Sequence, residues 1–134
     1  MKILLDTHVF LWFITADRRM NPTVRDGLRD STNSVFLSVV SVWEIIVKYR
    51  IGKLELPAPP DTYLRAQRVR HRIESLPLDE ASVEHLSRIA LIHRDPFDRM
   101  LVCQAIEHDM VLATEDHMLQ AYTTAVDGTP WRKP

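Results

Sequence analysis

The sequence predicts an α/β domain, a parallel sheet covered by helices on both faces. Two observations carry this. Strand-like segments alternate with helix-like ones along the whole chain, and the strand-like segments are short, apolar and not clearly alternating. Strands buried on both faces read this way, and parallel sheets are the ones helices cover on both sides. A third observation is size: 134 residues with 46% hydrophobic content suit one domain over 1–134 with a single core. No internal repeat, linker or low-complexity segment interrupts it.

The elements follow in order. KILLD (2–6) reads as a short buried strand and THVFLWFI (7–14) as a helix with Thr7 near its start. That helix is apolar nearly all round, so it is buried on most sides or packs on a partner. TVRDGLRDS (23–31) is a weak, polar helix and SVFLS (34–38) a second buried strand. SVWEIIVKYRIG (41–52) is a helix with Ser41 as cap and Gly52 as stop. LELPAPP (54–60) is a proline-punctuated loop, DTYLRAQRVRH (61–71) a helix, and IESLP (73–77) a short strand. DEASVEHLSRIALIH (79–93) is an amphipathic helix. PFDRMLVCQAIEH (96–108) is another, with Pro96 at a first helical position. MVLATED (110–116) is a third buried strand, HMLQAY (117–122) a short helix, and the tail adds one last strand.

Composition narrows the function classes. The formal net charge of −1 argues against coating nucleic acid by bulk charge, so any such contact needs a local basic patch. The single cysteine, Cys103, allows no intrachain disulfide and sits in an apolar helical run as a small buried hydrophobe. The opening MKILLDTH is too short for a signal-peptide core, and no stretch is long enough to span a membrane, so a cytoplasmic protein is expected. The six histidines include no pair four apart on one helix, against a zinc site of the metalloprotease kind. His8 and His93 lie near acids and either touch substrate or serve as local hydrogen-bonding groups.

Acids carry the functional signal. Two strands end in acid, at Asp6 and at Glu115–Asp116, and ligands of open α/β sheets sit beyond the carboxyl ends of strands. A strand-end aspartate also caps the helix that follows, so both readings of Asp6 and Asp116 stand. Glu44 fits a capping box with Ser41 and an i,i+4 pair with Lys48, a structural reading. Asp95 and Asp98 flank Pro96. With Pro96 first in the helix, Asp95 is the N-cap and Asp98 the third helical residue. At ~100° per residue, Asp98 shares the apolar stripe of Leu101, Val102 and Ala105, while Arg99, Gln104 and Glu107 lie on other sides. A carboxylate on that stripe is costly unless a cation or several donors satisfy it. A cluster of such acids needs compensation, and oxygen donors without a cysteine pair favour Mg²⁺ or Mn²⁺ over Zn²⁺.

Four blocks, LLDTHVFLW (4–12), SVVSVWEIIVK (38–48), HRDPFDRMLVCQA (93–105) and LATED (112–116), resemble the PIN-domain ribonucleases, and among them the VapC-type toxins of bacterial toxin–antitoxin modules. The resemblance runs in order over nearly the whole chain. It implies a three-layer α/β/α fold with a mostly parallel five-stranded sheet. It also implies a quartet of acids binding Mg²⁺ or Mn²⁺: Asp6, Glu44, Asp98 and Asp116. Thr7 and Thr114 match small hydroxyl positions near that site. Where the common pattern reads AQA, this chain has Cys103, Gln104 and Ala105.

The implied reaction is metal-assisted hydrolysis of RNA phosphodiesters, with Asp6 as central ligand, Asp98 and Asp116 completing the shell, and Glu44 ligating directly or through water. The implied partners are RNA, a second copy in a homodimer, and a cognate antitoxin protein, with Trp12 and Trp43 as partner anchors or as core. RNA contact needs cations: Arg65, Arg68 and Arg72 share a helix face, Arg18–Arg19 occupy a turn, and Arg99 follows Asp98. A solvated helix face explains the first three equally well. Two other classes stay open: a non-catalytic binding module with the acids as caps, and an aspartate-nucleophile phosphatase or phosphoacceptor built on Asp6. The second needs a lysine positioned against phosphate, and none of Lys2, Lys48, Lys53 and Lys133 follows a strand suitably.

Overall fold

Strand β1 (Lys2–Leu5) runs through the interior of the sheet with every residue after Lys2 buried. Its neighbours are β2 (Ser34–Ser38) and β4 (Val111–Ala113), both parallel to it, and β3 (Ile73–Leu76) lies parallel outside β2. The computed structural model describes residues 1–90, 95–116, 124–125 and 132–134. Alternation of side chains along a strand explains the layers. Ile3, Leu5, Val35, Leu37 and Ile73 face one side, packed with α1 (Thr7–Ile14), α2 (Pro22–Arg29), α3 (Val39–Arg50) and α4 (Pro60–Arg70) through Phe10, Val24, Ile45 and Leu64. Leu4, Leu76 and Leu112 face the other, packed against Leu101, Val102 and Ala105 of α6 (Pro96–Glu107).

The order β3-β2-β1-β4 places successive strands first on one side of β1 and then, with β4, on the other. The gap between β1 and β4 is therefore a topological switch point, open at the carboxyl ends of the strands. Among the described residues the sheet expected to have five strands has four parallel ones. Two strands of two residues each, β5 (Thr124–Ala125) and β6 (Arg132–Lys133), continue it antiparallel beyond β4. Pro130 and Pro134 bracket β6 in sequence, and proline has no N–H to give a ladder.

Local chemistry shifts several boundaries. Helix α3 begins two residues before the expected Ser41 because Ser38, the last residue of β2, caps it by accepting from Val40 N at 3.0 Å. Ser41 therefore lies inside the first turn, and the Ser41–Glu44 capping box does not form. The stop is as expected: Gly52, at φ 78°, takes the left-handed position after the C-cap Ile51, and its N–H donates to Tyr49 O. The helix expected over 79–93 is short, α5 (Glu80–Glu84) followed by a 3₁₀ turn at His85–Ser87. Ser87 Oγ donates to Glu84 O, an alternative to continued helix that serine offers readily. Residues 91–93 of that segment, including His93, and the helix expected over 117–122 lie outside the described residues. The third strand is only Val111–Ala113; Thr114, Glu115 and Asp116 leave the sheet as a loop. Arg72 is past the end of α4 at φ 56°, so it does not share a helix face with Arg65 and Arg68.

Candidate active site

Asp6 leaves β1 at the switch point and is 3% exposed. It does both jobs open to it. As N-cap of α1 its Oδ1 accepts from His8 N at 2.7 Å, while Oδ2 accepts from Thr114 Oγ1 at 2.6 Å across the gap to the β4 end. Thr114 also accepts from Asp116 N at 3.1 Å, which turns the loop after β4 back toward Asp6. Burial pushes the Asp6 carboxyl above its ordinary range. The bonds from Thr114 and His8 oppose that shift, and the charge of Asp116 adds to it. Asp6, Glu115 and Asp116 line one hollow of about 260 Å³, walled by His8, Val9 and Trp12. The His8 ring stands beside these acids, its Nδ1 4.0 Å from Asp6 Oδ1.

Glu44 lies on the second turn of α3, 2% exposed. Thr7 Oγ1 donates to its Oε1 at 2.8 Å and lies 2.9 Å from Ser41 Oγ. Lys48 Nζ, one turn on, is 2.5 Å from its Oε2, so the expected i,i+4 pair is real. Lys48 is partly buried, which works against its charge. The bond and charge of Glu44, with the charges of Asp95 and Asp98, outweigh that and hold its pKa above the ordinary value. Asp95 is the N-cap of α6, accepting from Phe97 N at 2.9 Å and Asp98 N at 3.4 Å. Asp98 is half-buried in the first turn of that helix, where the positive helix end suits a carboxylate.

The four acids thus gather at one end of the sheet in two groups: Asp6 with Asp116, and Glu44 with Lys48 and, within electrostatic reach, Asp98. Thr7, next to Asp6 in sequence and bonded to Glu44, joins them. Among the described residues no three His, Cys, Asp or Glu side chains close into a ready-made metal cage. The donor chemistry still fits a hard cation. Asp6 and Asp116 are oxygen donors sharing one hollow, and the Asp6 carboxyl is raised chiefly by burial and further by the charge of Asp116, a penalty on its ionised form that a divalent ion would relieve.

Several expectations are redirected. Gln104, placed on a side of α6 away from the apolar stripe, is fully buried. Its Oε1 accepts from Ser38 Oγ and its Nε2 donates to Pro77 O. An amide that satisfies its own polar atoms is tolerated in a core, which helix phase alone does not reveal. Cys103 is buried as expected. Trp43 is not core: it is 59% exposed and meets Phe97 edge-on at 4.8 Å. Arg99 turns to the hollow between Trp43, Leu86 and Phe97 rather than to the acids' hollow. Arg19 pairs with Asp17 at 2.8 Å and lies over the Trp12 ring. His8 is a surface ring beside Asp6 and Trp12. The role of Ser41 beside Thr7 had no signal in the sequence beyond the cap it does not make.

A parallel core with a switch point opening onto buried carboxylates defines a class, and the sequence assigns the chain to it: it belongs to the PIN domain family, whose family model matches residues 3–124. The chain is similar to Ribonuclease VapC16 of Mycobacterium tuberculosis, 38% identical over 58 residues. That match spans 43% of this chain and 41% of the relative, less than half of either. Among solved structures, the fold resembles the VapBC2 complex from Rickettsia felis bound to a DNA fragment from their promoter. The TM-score is 0.62 at 15% identity, covering 91% of this chain and 93% of that one. A domain of a functionally unknown protein from Methanocaldococcus jannaschii matches with TM-score 0.53 at 18% identity, covering 96% and 94%. At these identities the structural likeness is one of fold.

Proposed function

We propose that the chain is a Mg²⁺- or Mn²⁺-dependent endoribonuclease, the toxin of a toxin–antitoxin pair, acting at the switch-point acids. The observation that carries this is Asp6: a carboxylate 3% exposed, at the carboxyl end of an interior strand, raised by burial and facing Asp116 in one hollow. Asp6, Asp98 and Asp116 are the acids to hold the ion, with Glu44 completing the set. When bound, the cation supplies Lewis-acid polarisation of the phosphate and a water of lowered pKa. The chain's own groups orient the acids. Thr114 and the His8 N–H fix both oxygens of Asp6, and the Asp95 cap fixes the first turn of α6 and with it Asp98.

The similarity to a VapC ribonuclease and to a VapBC complex supports RNA as substrate and an antitoxin protein as partner. An exposed apolar row on α3, Val39, Trp43 and Val47, supports a homodimer. The reading places the protein in the cytoplasm, where RNA and antitoxin meet; among the described residues no helix is long and apolar enough to cross a membrane. Purified protein should cut RNA in Mg²⁺ or Mn²⁺, stop in EDTA, and lose activity in Asp6→Asn and Asp98→Asn. A folded Asp98→Asn protein that cleaves at the wild-type rate refutes the assignment.

A further inference from the structure

We propose that Arg19, held by Asp17 against Trp12, grips an RNA phosphate next to the one being cut, on an unpaired stretch of the strand. This rests on the nuclease reading above and adds a substrate contact to it, with the four acids keeping the roles given there.

The turn after α1 is built to hold this side chain. Ala16 sits at φ 51°, a left-handed conformation that L side chains rarely adopt. Asp17 N donates to Trp12 O at 2.9 Å, and Asp17 O accepts from Met20 N at 3.1 Å. Met20 is buried, so the turn is anchored to the core. It sets the Asp17 carboxylate against Arg19 at three points. Oδ1 accepts from Arg19 N at 2.9 Å and from Nε at 3.1 Å, and Oδ2 accepts from Nη2 at 2.8 Å. The bonds from Arg19 hold the Asp17 carboxyl down at about 2, so the pair stays ionised at neutral pH. The guanidinium lies over the Trp12 ring, 5.1 Å from its centroid. An exposed ion pair adds little stability, whereas a strained turn that fixes one is a recurrent feature of ligand clamps. Arg19 is 69% exposed and yet fixed in place.

The place of this unit points to its ligand. Arg19 and Trp12 line a groove of about 470 Å³, and Trp12 and His8 are walls of both that groove and the hollow of Asp6 and Asp116. A strand whose scissile phosphate sits at the acids therefore runs past Trp12 into the groove. Three cations, Arg19, Lys48 and Lys53, line the groove against two acids, Asp17 and Glu55. That makes it the local basic patch which a chain of net charge −1 needs for RNA. Trp12 and Tyr63 offer flat faces on which unpaired bases stack. A guanidinium has five N–H donors, and Asp17 takes only the Nε–Nη2 edge. The Nη1 side is left for the paired oxygens of a phosphate, a match that an ammonium does not offer. Arg19 thus touches substrate, and Asp17 is a positioning residue.

The test uses the whole chain and a labelled single-stranded RNA, bound in Ca²⁺ across a salt series, with the RNA checked on a gel for intactness. Arg19→Met should weaken binding and flatten the slope of log affinity against log salt by about 0.7, the loss of one phosphate contact on a single strand. Arg19→Lys should keep the slope but fall short of wild-type affinity. Asp17→Asn is the sharper arm. It removes an acid from the groove, so charge alone predicts tighter binding. Loss of the positioning partner predicts weaker binding instead, by about two- to twelvefold, the cost of ordering one flexible side chain. Arg19 is exposed, so its variants fold and decide the phosphate contact even where Asp17→Asn does not. An unchanged slope in Arg19→Met overturns that contact and leaves an acidic segment of a protein partner as the ligand of Arg19. Full affinity in Arg19→Lys overturns the fork, and equal or tighter binding by folded Asp17→Asn overturns the positioning role. No RNA binding by wild type overturns the whole inference. If wild type binds RNA with the Arg19 slope change yet never cuts it in Mg²⁺ or Mn²⁺, the nuclease reading fails and the Arg19 contact stands.

Discussion

Gln104→Met tests how α6, which carries Asp98, is tied to α3, which carries Glu44 and Lys48. Methionine keeps the approximate volume but has no amide. Ser38 Oγ loses its acceptor, although it still accepts from Val40 N, and Pro77 O loses its donor at 3.2 Å. A buried group left unmet costs ~1–3 kcal/mol and a second lost hydrogen bond ~0.5–1.5 kcal/mol, so the total is about 1.5–4.5 kcal/mol. Unfolding entropy of ~2.1 cal/mol/K per residue gives ~0.28 kcal/mol/K for a chain of this length, so Tm falls by about 5–16 °C. Thermal and urea melts in EDTA measure it free of any metal contribution. Ser38→Ala removes the cap of α3 and strands the Gln104 carbonyl. The double variant should be less destabilised than the sum of the two singles, by ~1–2 kcal/mol, because neither group is then left waiting for the other. A loss under ~0.5 kcal/mol for Gln104→Met, or a strictly additive cycle, refutes the view that this pair joins the two helices.

Other perturbations separate the acids. Asp95→Ala should lower stability by about 0.5–2 kcal/mol in a urea melt, the usual range for a lost N-cap, while RNA cleavage is largely kept; abolished cleavage would make Asp95 more than a cap. Asp6→Asn should stabilise the metal-free protein at neutral pH. The folded Asp6 pKa is raised above 3.8, so the penalty of its charge is full above that folded pKa and disappears as pH falls through it. The gap between wild type and Asp6→Asn should therefore narrow from pH 7 toward about pH 4, and a gap that widens on acidification contradicts the sign. Trp43→Asp should leave the circular dichroism spectrum unchanged and shift the sedimentation of wild type from dimer to monomer. A monomeric wild type counts against the homodimer proposal.

Much of the fold was legible because local chemistry and global burial agree. Uninterrupted apolar runs marked β1, β2 and β4 as buried on both faces, and the single proline after Asp95, Pro96, marked the start of α6 with its cap. Gly52 ended α3 where the sequence placed it, since only the left-handed position there asks for glycine. Boundaries failed where two signals compete for the same residues. Ser38 serves as last strand residue and helix cap at once, which displaced Ser41, and the described part of the helix expected over 79–93 is a short helix at Glu80–Glu84 and a tight turn at His85–Ser87.

The acids separate along the same line. The sequence alone singled out candidate carboxylates: strand ends beyond apolar runs, and a helix start where phase sets Asp98 apart from the capping Asp95. Charge near the acids, and the donors that satisfy them, come from residues far apart in the chain, so periodicity cannot report them. Tertiary packing decided that Thr114 crosses the β1–β4 gap to Asp6, that Thr7 meets Glu44 across 37 positions, and that Gln104 leaves the polar face for the core beside Ser38. A hydrogen bond is specified by position in space to within a few tenths of an ångström, whereas a hydrophobic pattern is specified only by which face a residue occupies. The sequence therefore fixes faces, and the folded sheet fixes partners.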